Sequence, residues 1–208
     1  MAIERKEIGS IWLKIKENDD SKAFESFFFQ LSSRLIKFSV FYLHNQEAAE
    51  EIVSDVFTNL WINRKKLGHV QNVESYLYIA VKNQSLNYIK KYSNIHLVSL
   101  DDSELEFVDP WCPQKEVERR ELIFLMDQAI ESLPQQCKII FRLVKEDGLK
   151  YKEVAEILNV SPKTVHTQLY RAMKKLNTVM QPYNKESNVP FFSGLSVIVL
   201  FLLSLINS

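Results

Sequence analysis

The sequence predicts an all-α fold: an N-terminal helical bundle and a C-terminal helix-turn-helix domain, joined by a flexible acidic linker. Only 4 glycines and 6 prolines are spread over 208 residues, too few turn formers for a β-sandwich or barrel. Apolar residues make up 46% of the chain and recur at helical spacing. An acidic segment with two prolines interrupts this pattern. We therefore expect domains over residues 1–92 and 115–183, a linker over 93–114 and an apolar tail over 184–208.

Three helices are expected in the first domain. The first covers residues 23–43, where phenylalanine and leucine recur at helical spacing after Asp20, a suitable cap. Asn45 is expected to cap the second, which runs to Trp61 with its apolar residues on one face and its acids on the other. A third helix is expected over 73–92. Three helices with short connections predict a small bundle.

The chain changes character after this bundle. The acidic stretch 101–109 either imitates nucleic acid or is a solvated connector, and the sequence leaves both interpretations open. Beyond it, a helix is expected over 118–132. Pro134 should open another, which Gly148 should end, and two more short helices should follow.

Residues 151–170 fit a helix-turn-helix. Asn159 tolerates the left-handed conformation of the turn, and Ser161 and Pro162 are well suited to start the second helix. Between residues 149 and 176, six Lys and Arg oppose two Glu in a chain whose net charge is zero, which favours phosphate attraction. An ordinary helical hairpin with a basic solvent face is the alternative. The inner face of the second helix is expected to be Val165, Leu169, Ala172 and Leu176. The expected DNA contacts on its acid-free outer face are Lys163, Thr164, His166, Thr167, Gln168, Arg171, Lys174 and Lys175.

The third helix of the first domain also mixes cations with aromatic residues. Tyr76, Tyr78, Tyr88 and Tyr92 are interleaved with lysines, as in proteins that hold phosphates and stack unpaired bases. Tyrosines at helical spacing are more often core residues than base-stacking platforms, so this pattern alone is weak support for binding to nucleic acid.

Enzymatic and export functions find no support. There is no phosphate-binding glycine loop and no nucleophile elbow, and the histidines are scattered singly, so we expect no catalytic residue. Cys112 and Cys137 lack metal-ligand or disulfide spacing, so neither a metal nor a cofactor is expected. The charged N-terminus does not resemble a signal peptide. We expect a cytoplasmic protein.

With these motifs in this order, the stretch from about Ser21 to Gln181 resembles the extracytoplasmic-function sigma factors, minimal two-domain members of the bacterial sigma-70 class. The segment 47–61 is similar to the helix that docks on the clamp helices of core RNA polymerase, and 75–83 is similar to the element that melts and reads the minus ten region. The loop 68–73 would hold a flipped base, and the helix-turn-helix is similar to the minus thirty-five reader. Core polymerase and promoter DNA are the partners that this resemblance implies.

The resemblance also assigns residue roles. It implies polymerase contacts by Glu51, Asp55 and Asn59, with Phe57 and Trp61 in the core. It implies minus ten contacts by His69, Asn72, Tyr76, Lys82, Asn83, Asn87, Lys90 and Lys91. One departure is Asn159, which stands where the family usually has a turn glycine. The competing hypotheses are a self-sufficient DNA-binding regulator with an N-terminal sensor or dimerisation bundle, and a pure protein-interaction module.

The tail lies outside the family pattern. Residues 191–206 carry no charge, and as a helix they would reach roughly 24 Å, short of the ~30 Å hydrocarbon core of a bilayer. We expect this segment to pack on the protein's own domains or on an anti-sigma factor. Weak membrane association through the tail is the next alternative, and a disordered tail is the last.

Overall fold

The structure, a computed structural model, describes residues 5–92 and 124–184, and in these two stretches it is helical without strands. The linker and the apolar tail lie outside the described residues, and so do the predicted start of the helix at Glu118 and Cys112. By their contacts the described residues fall into two compact units. One contains residues 5–92 together with Lys152–Ser161, and the other contains 124–151 together with 162–184.

Four helices form the first bundle: α1 (Arg5–Asn18), α2 (Ser21–Leu43), α3 (Gln46–Asn63) and α4 (Val73–Tyr92). The predicted caps are confirmed, because the Asp20 carboxylate accepts from the Ala23 N–H at 3.0 Å and the Asn45 side-chain oxygen accepts from the Ala48 N–H at 2.8 Å. The predicted bounds of α4 are confirmed as well.

The bundle core is rich in aromatic rings from α2 and α3. Phe57 is 2% exposed, and its ring centroid lies 4.9 Å from Phe28, 6.0 Å from Phe27 and 6.2 Å from Phe24. Tyr78 of α4 is fully buried against Phe38 at 5.1 Å. For Tyr78 the core interpretation is therefore the correct one, and it cannot be a base-stacking platform.

Helix α1 was not among the predicted elements. Its residues Ile8, Trp12 and Ile15 are buried against the bundle and lie four and three positions apart, the spacing of one helical face. The loop after it is tied to the end of α3, since Asp19 forms ion pairs with Arg64 at 2.7 Å and Lys65 at 2.8 Å. These two cations hydrogen-bond the Asp19 carboxylate and lower its pKa.

The later helices are α5 (124–131), α6 (Gln135–Phe141), α7 (Tyr151–Leu158) and α8 (Pro162–Asn184). A π-helical turn over Arg142–Glu146 extends α6, and Gly148 follows with φ of 70°, as its predicted role as a helix terminator requires. The prediction of two short final helices is wrong for the second, because α8 has 23 residues. Within 5–92 and 124–184, no helix combines the length and apolar composition needed to cross a membrane.

Candidate nucleic-acid interface

Helix α8 presents a basic face that contains no acid. Its predicted inner residues are confirmed as core: Val165, Ala172 and Leu176 are inaccessible and Leu169 is 4% exposed. The helix sequence contains no Asp or Glu. The exposed side chains opposite the core, hereafter the α8 face, are Lys163, His166, Tyr170, Arg171 and Lys174. A cationic helix face of this kind attracts the phosphates that flank a major groove.

The turn ahead of α8 has the geometry that a helix-turn-helix needs. Asn159 has φ of 57°, as predicted, and asparagine is one of the few residues other than glycine that adopts this left-handed conformation readily. The Val160 N–H donates to the Ala155 carbonyl at 2.9 Å, which closes the end of α7. Helix α8 then begins at Pro162, whose missing N–H costs nothing at the first helical position.

Two of the predicted DNA contacts are engaged inside their own unit. The Gln168 side chain accepts from the Cys137 thiol at 3.0 Å and donates to the Gln136 side chain at 3.1 Å. Burial raises the pKa of Cys137, which keeps the thiol protonated as the donor. The Lys175 ammonium donates to the backbone carbonyl of Ser132, the residue that directly follows α5. These bonds fix the orientation of α8, and they occupy one donor and one acceptor of the Gln168 amide.

Aromatic residues complete the α8 face. Tyr170 is 64% exposed and lies one turn after His166 and one turn before Lys174. It was missing from the predicted contacts, although helical periodicity alone places it on this face. The His166 ring packs edge-on against Tyr151 at 6.1 Å. The face therefore offers apolar ring edges as well as charge, and such edges suit contact with thymine methyl groups.

The second candidate surface follows α4 and the loop before it. Asn83, Asn87, Lys90 and Lys91 are exposed, Tyr76 is half-buried, and His69 is exposed in the loop. At the end of α4 the Tyr88 and Tyr92 rings lie 4.4 Å apart, and the Lys91 ammonium lies 5.3 Å from the Tyr92 ring. Exposed lysines beside a tyrosine pair provide both phosphate and base-stacking groups.

Two residues of this second surface bind protein groups. Asn72 is the N-cap of α4, where its side-chain oxygen accepts from the Ser75 N–H at 3.0 Å, and its side-chain nitrogen donates to Glu153 at 3.0 Å. The Lys82 ammonium donates to the Ile157 carbonyl at 2.6 Å, and burial lowers its pKa. Arg64 begins the basic segment 64–66, which precedes the loop. It forms an ion pair with Asp19, and its guanidinium lies 4.1 Å from the centroid of the Trp61 ring.

Helix α3 exposes a third surface, acidic rather than basic. Glu51, Asp55 and Asn59 are all exposed and succeed each other at four-residue spacing, so they form one line along the helix. Ile62 continues this line and is 66% exposed. These four residues are hereafter the α3 face. Phe57 is buried and Trp61 half-buried behind it, as the resemblance implies.

Among the described residues, no group of three or more histidine, cysteine or acidic side chains is placed to hold a metal ion. The three surfaces offer charge, hydrogen-bonding groups and exposed rings.

Comparisons with known proteins agree with this geometry. Residues 27–95 match the family model described as "Sigma-70 region 2", and residues 123–176 match "Sigma-70, region 4". The RNA polymerase sigma factor SigV of Bacillus subtilis is 27% identical over 133 residues, 64% of this chain and 76% of that protein. The RNA polymerase sigma-H factor of Pseudomonas aeruginosa is 22% identical over 187 residues, 82% of this chain and 93% of that protein.

Shorter and structural matches point the same way. The ECF RNA polymerase sigma-E factor of Escherichia coli K12 is 34% identical over 65 residues, 31% of this chain and 32% of that protein. The fold is similar to that of the sigma factor RpoE of Bartonella quintana, solved in complex with the anti-sigma factor NepR, with a TM-score of 0.54 and 15% identity. That match covers 77% of this chain and 98% of RpoE.

Proposed function

The chain belongs to the extracytoplasmic-function group of the sigma-70 family, and from that premise we propose which of its surfaces carry out promoter-specific initiation. As a sigma factor it binds core RNA polymerase and directs transcription to particular promoters. Sigma factors act by binding, and the chemistry of RNA synthesis belongs to the polymerase. The observation that best supports the assignment below is the separation of an acidic face on α3 from basic faces on α4 and α8.

We assign polymerase binding to the α3 face. Its carboxylates are exposed and attract a basic partner, while Ile62 adds an apolar contact at one end of the line. Interfaces commonly combine a desolvated apolar anchor with flanking charges, and charge complementarity raises the rate of association. Glu51, Asp55 and Asn59 are the proposed polar contacts.

We assign minus ten recognition to the loop residue His69 and to the exposed groups of α4, together with Asn72, Tyr76 and Lys82. In this assignment the lysines hold the backbone of the melted strand while tyrosine rings stack on its bases. Tyr92 joins the surface because its ring is 43% exposed and pairs with Tyr88. Tyr78 is excluded from it by burial.

We assign minus thirty-five recognition to the α8 face. Lys163 and Arg171 are the proposed base contacts, while Lys174 holds a phosphate. Thr164, His166, Thr167 and Tyr170 lie within reach of groove edges on the same helix. Gln168 and Lys175 act by orienting α8 through their bonds to Cys137 and to the Ser132 carbonyl.

Replacing Arg171 by alanine should weaken use of the upstream element by about 1–3 kcal/mol, or roughly 5- to 150-fold, if its guanidinium pairs with a guanine. Run-off transcription on promoters that differ at single upstream positions measures this loss, which should depend on the base. Arg171→Lys is the matched variant, because it keeps the charge but not the bidentate geometry. Equal activity of both variants with the native protein on every upstream sequence would remove Arg171 from the interface.

Run-off transcription with purified core polymerase is the experiment that tests the whole proposal. The native protein should support transcripts from a defined start only when core polymerase is present. A self-sufficient regulator with the same helix-turn-helix would instead bind operator duplex alone and would not associate with polymerase. Such results would replace the sigma-factor assignment by that of a self-sufficient DNA-binding regulator.

We also propose an anti-sigma factor as a cellular partner, acting in the cytoplasm where polymerase and DNA are found. Support comes from the RpoE–NepR complex, whose sigma subunit has the same fold. A partner that covers the α3 face would prevent binding to polymerase. Its release would then control the activity of the protein.

A further inference from the structure

The chain that leads into the loop 68–73 is tied to the bundle by the carboxylate of Asp19. This carboxylate contacts Arg64 at 2.7 Å and Lys65 at 2.8 Å, two cations that precede the loop. Hydrogen bonds from Lys65 and Arg64 lower the pKa of Asp19, so the carboxylate is ionised at neutral pH. The Arg64 guanidinium also donates to the Trp61 carbonyl, which fixes its position further.

A second ion pair ties the other end of the loop. Glu74, in the first turn of α4, is 5% exposed, and its carboxylate lies 3.8 Å from the guanidinium of Arg34 in α2. Asn72 caps the same turn, since its side-chain oxygen accepts from the Ser75 N–H at 3.0 Å. A buried carboxylate requires compensation of its charge, so the Arg34 cation helps to hold the start of α4 against α2.

The backbone of Asp19 provides an independent observation. Its φ is 52°, a left-handed conformation that glycine adopts freely and aspartate adopts at some cost. Glycine would remove that cost, but it would also remove the carboxylate that holds Arg64 and Lys65. The next residue, Asp20, caps α2 through the Ala23 N–H at 3.0 Å, so Asp19 is fixed relative to α2.

We propose that Asp19 and Arg34 are positioning residues, which hold the loop 68–73 in the shape that captures an unstacked base of the minus ten strand. The inference rests on the proposed function and deepens the role assigned there to His69. Neither side chain needs to touch DNA, because each acts through charged residues that flank the loop.

Fixing both ends of the loop favours base capture. Flipping a base out of its stack costs free energy, which contacts with the protein must offset. A loop that is already ordered loses less conformational entropy on binding, so more of the contact energy appears as affinity. Backbone bonds contribute to this order, since the Leu67 N–H donates to the Arg64 carbonyl at 3.3 Å and the Val70 N–H donates to the Leu67 carbonyl at 3.0 Å. Between them His69 is exposed.

The test uses holoenzyme assembled from the full-length chain and core polymerase. Its ligands are fluorescent single-stranded oligonucleotides that span the minus ten element of a promoter which the native holoenzyme transcribes. Removing one base at a time, as an abasic site, identifies the position whose base the native protein captures. The measured quantity is the ratio of the affinities for the intact strand and for the strand that is abasic at this position.

We expect Asp19→Asn to lower this ratio about 2- to 5-fold, the range for exposed ion pairs. Asparagine adopts the left-handed conformation readily, so the substitution removes the charge and keeps the backbone. Glu17→Gln is the matched control, because Glu17 is an exposed acid of α1 for which no ion pair is found within the described part of the chain. It should leave the ratio unchanged. Equal ratios for the two variants would overturn the proposal for Asp19.

Arg34→Gln should lower the ratio at the same position. Combined with Asp19→Asn, its effect should multiply, since the two ion pairs share no residue. Lys37→Gln removes an equal charge from an exposed position of α2 and should have no effect. An equal loss of affinity at every position would show a structural role alone and would refute the proposal. Because Asp19 is exposed, Asp19→Asn decides the outcome if circular dichroism shows that Arg34→Gln does not fold.

These outcomes are separate from failure of the proposed function. That failure would appear as a native chain that forms no active holoenzyme with core polymerase. A native holoenzyme that captures a base, together with variants that capture it equally well, would remove the positioning role of Asp19 and Arg34 and retain the sigma assignment.

Discussion

Replacing Asp55 by arginine is expected to abolish binding to core RNA polymerase. Asp55 lies at the middle of the α3 face, with Glu51 one turn before it and Asn59 one turn after it. The change replaces attraction by repulsion at the centre of the proposed interface, where hot-spot losses reach 2 kcal/mol or more, at least about 30-fold in affinity. Because the side chain is exposed, the fold should be preserved. Binding to immobilised core polymerase measures the effect, and circular dichroism checks the fold.

Glu25→Arg provides the matched control for this change. Glu25 is an exposed acid of α2, so its reversal changes the net charge by the same amount but leaves the α3 face intact. We expect near-native polymerase binding for this variant. If both reversals weakened binding equally, long-range charge would be responsible and α3 would lose its assigned role.

Replacing Phe57 by alanine should cause the largest loss of stability in the first bundle, about 3–5 kcal/mol. The ring is 2% exposed and contacts three other phenylalanine rings, so its removal leaves a cavity that the aromatic cluster cannot fill. Since small domains are stable by only about 5–15 kcal/mol, a large part of the stability should disappear. Urea unfolding followed by tryptophan fluorescence measures the change.

Phe29→Ala is the corresponding control on α2. The Phe29 side chain is 70% exposed, so its truncation should change the free energy of unfolding by no more than about 0.5 kcal/mol. Similar destabilisation by the two substitutions would mean that the aromatic cluster is not the core of the bundle. Polymerase binding should fall with Phe57→Ala because α3 loses its support.

Much of the fold could be predicted because hydrophobic periodicity and helix capping depend on residues that are close together in the sequence. Asp20, Asn45 and Asn159 each act through their own backbone geometry or a group three residues away, so their roles could be read directly from the sequence. Helix α1 is also encoded in the spacing of Ile8, Trp12 and Ile15, although charged residues flank this apolar pattern on both sides. The length of α8 was underestimated although the chain has no proline between residues 162 and 182 and no glycine there to stop it.

The sequence by itself determined which side of each helix faces the core, because a period of 3.6 residues sorts apolar from polar positions. It thereby placed the acidic line on α3 and the basic face on α8. Only the tertiary structure decided which polar side chains on those helices are engaged by protein. Gln168 binds Cys137, which is 31 positions away, and Lys82 binds the Ile157 carbonyl, which is 75 positions away. No local pattern encodes such pairs, since they exist only when distant segments meet.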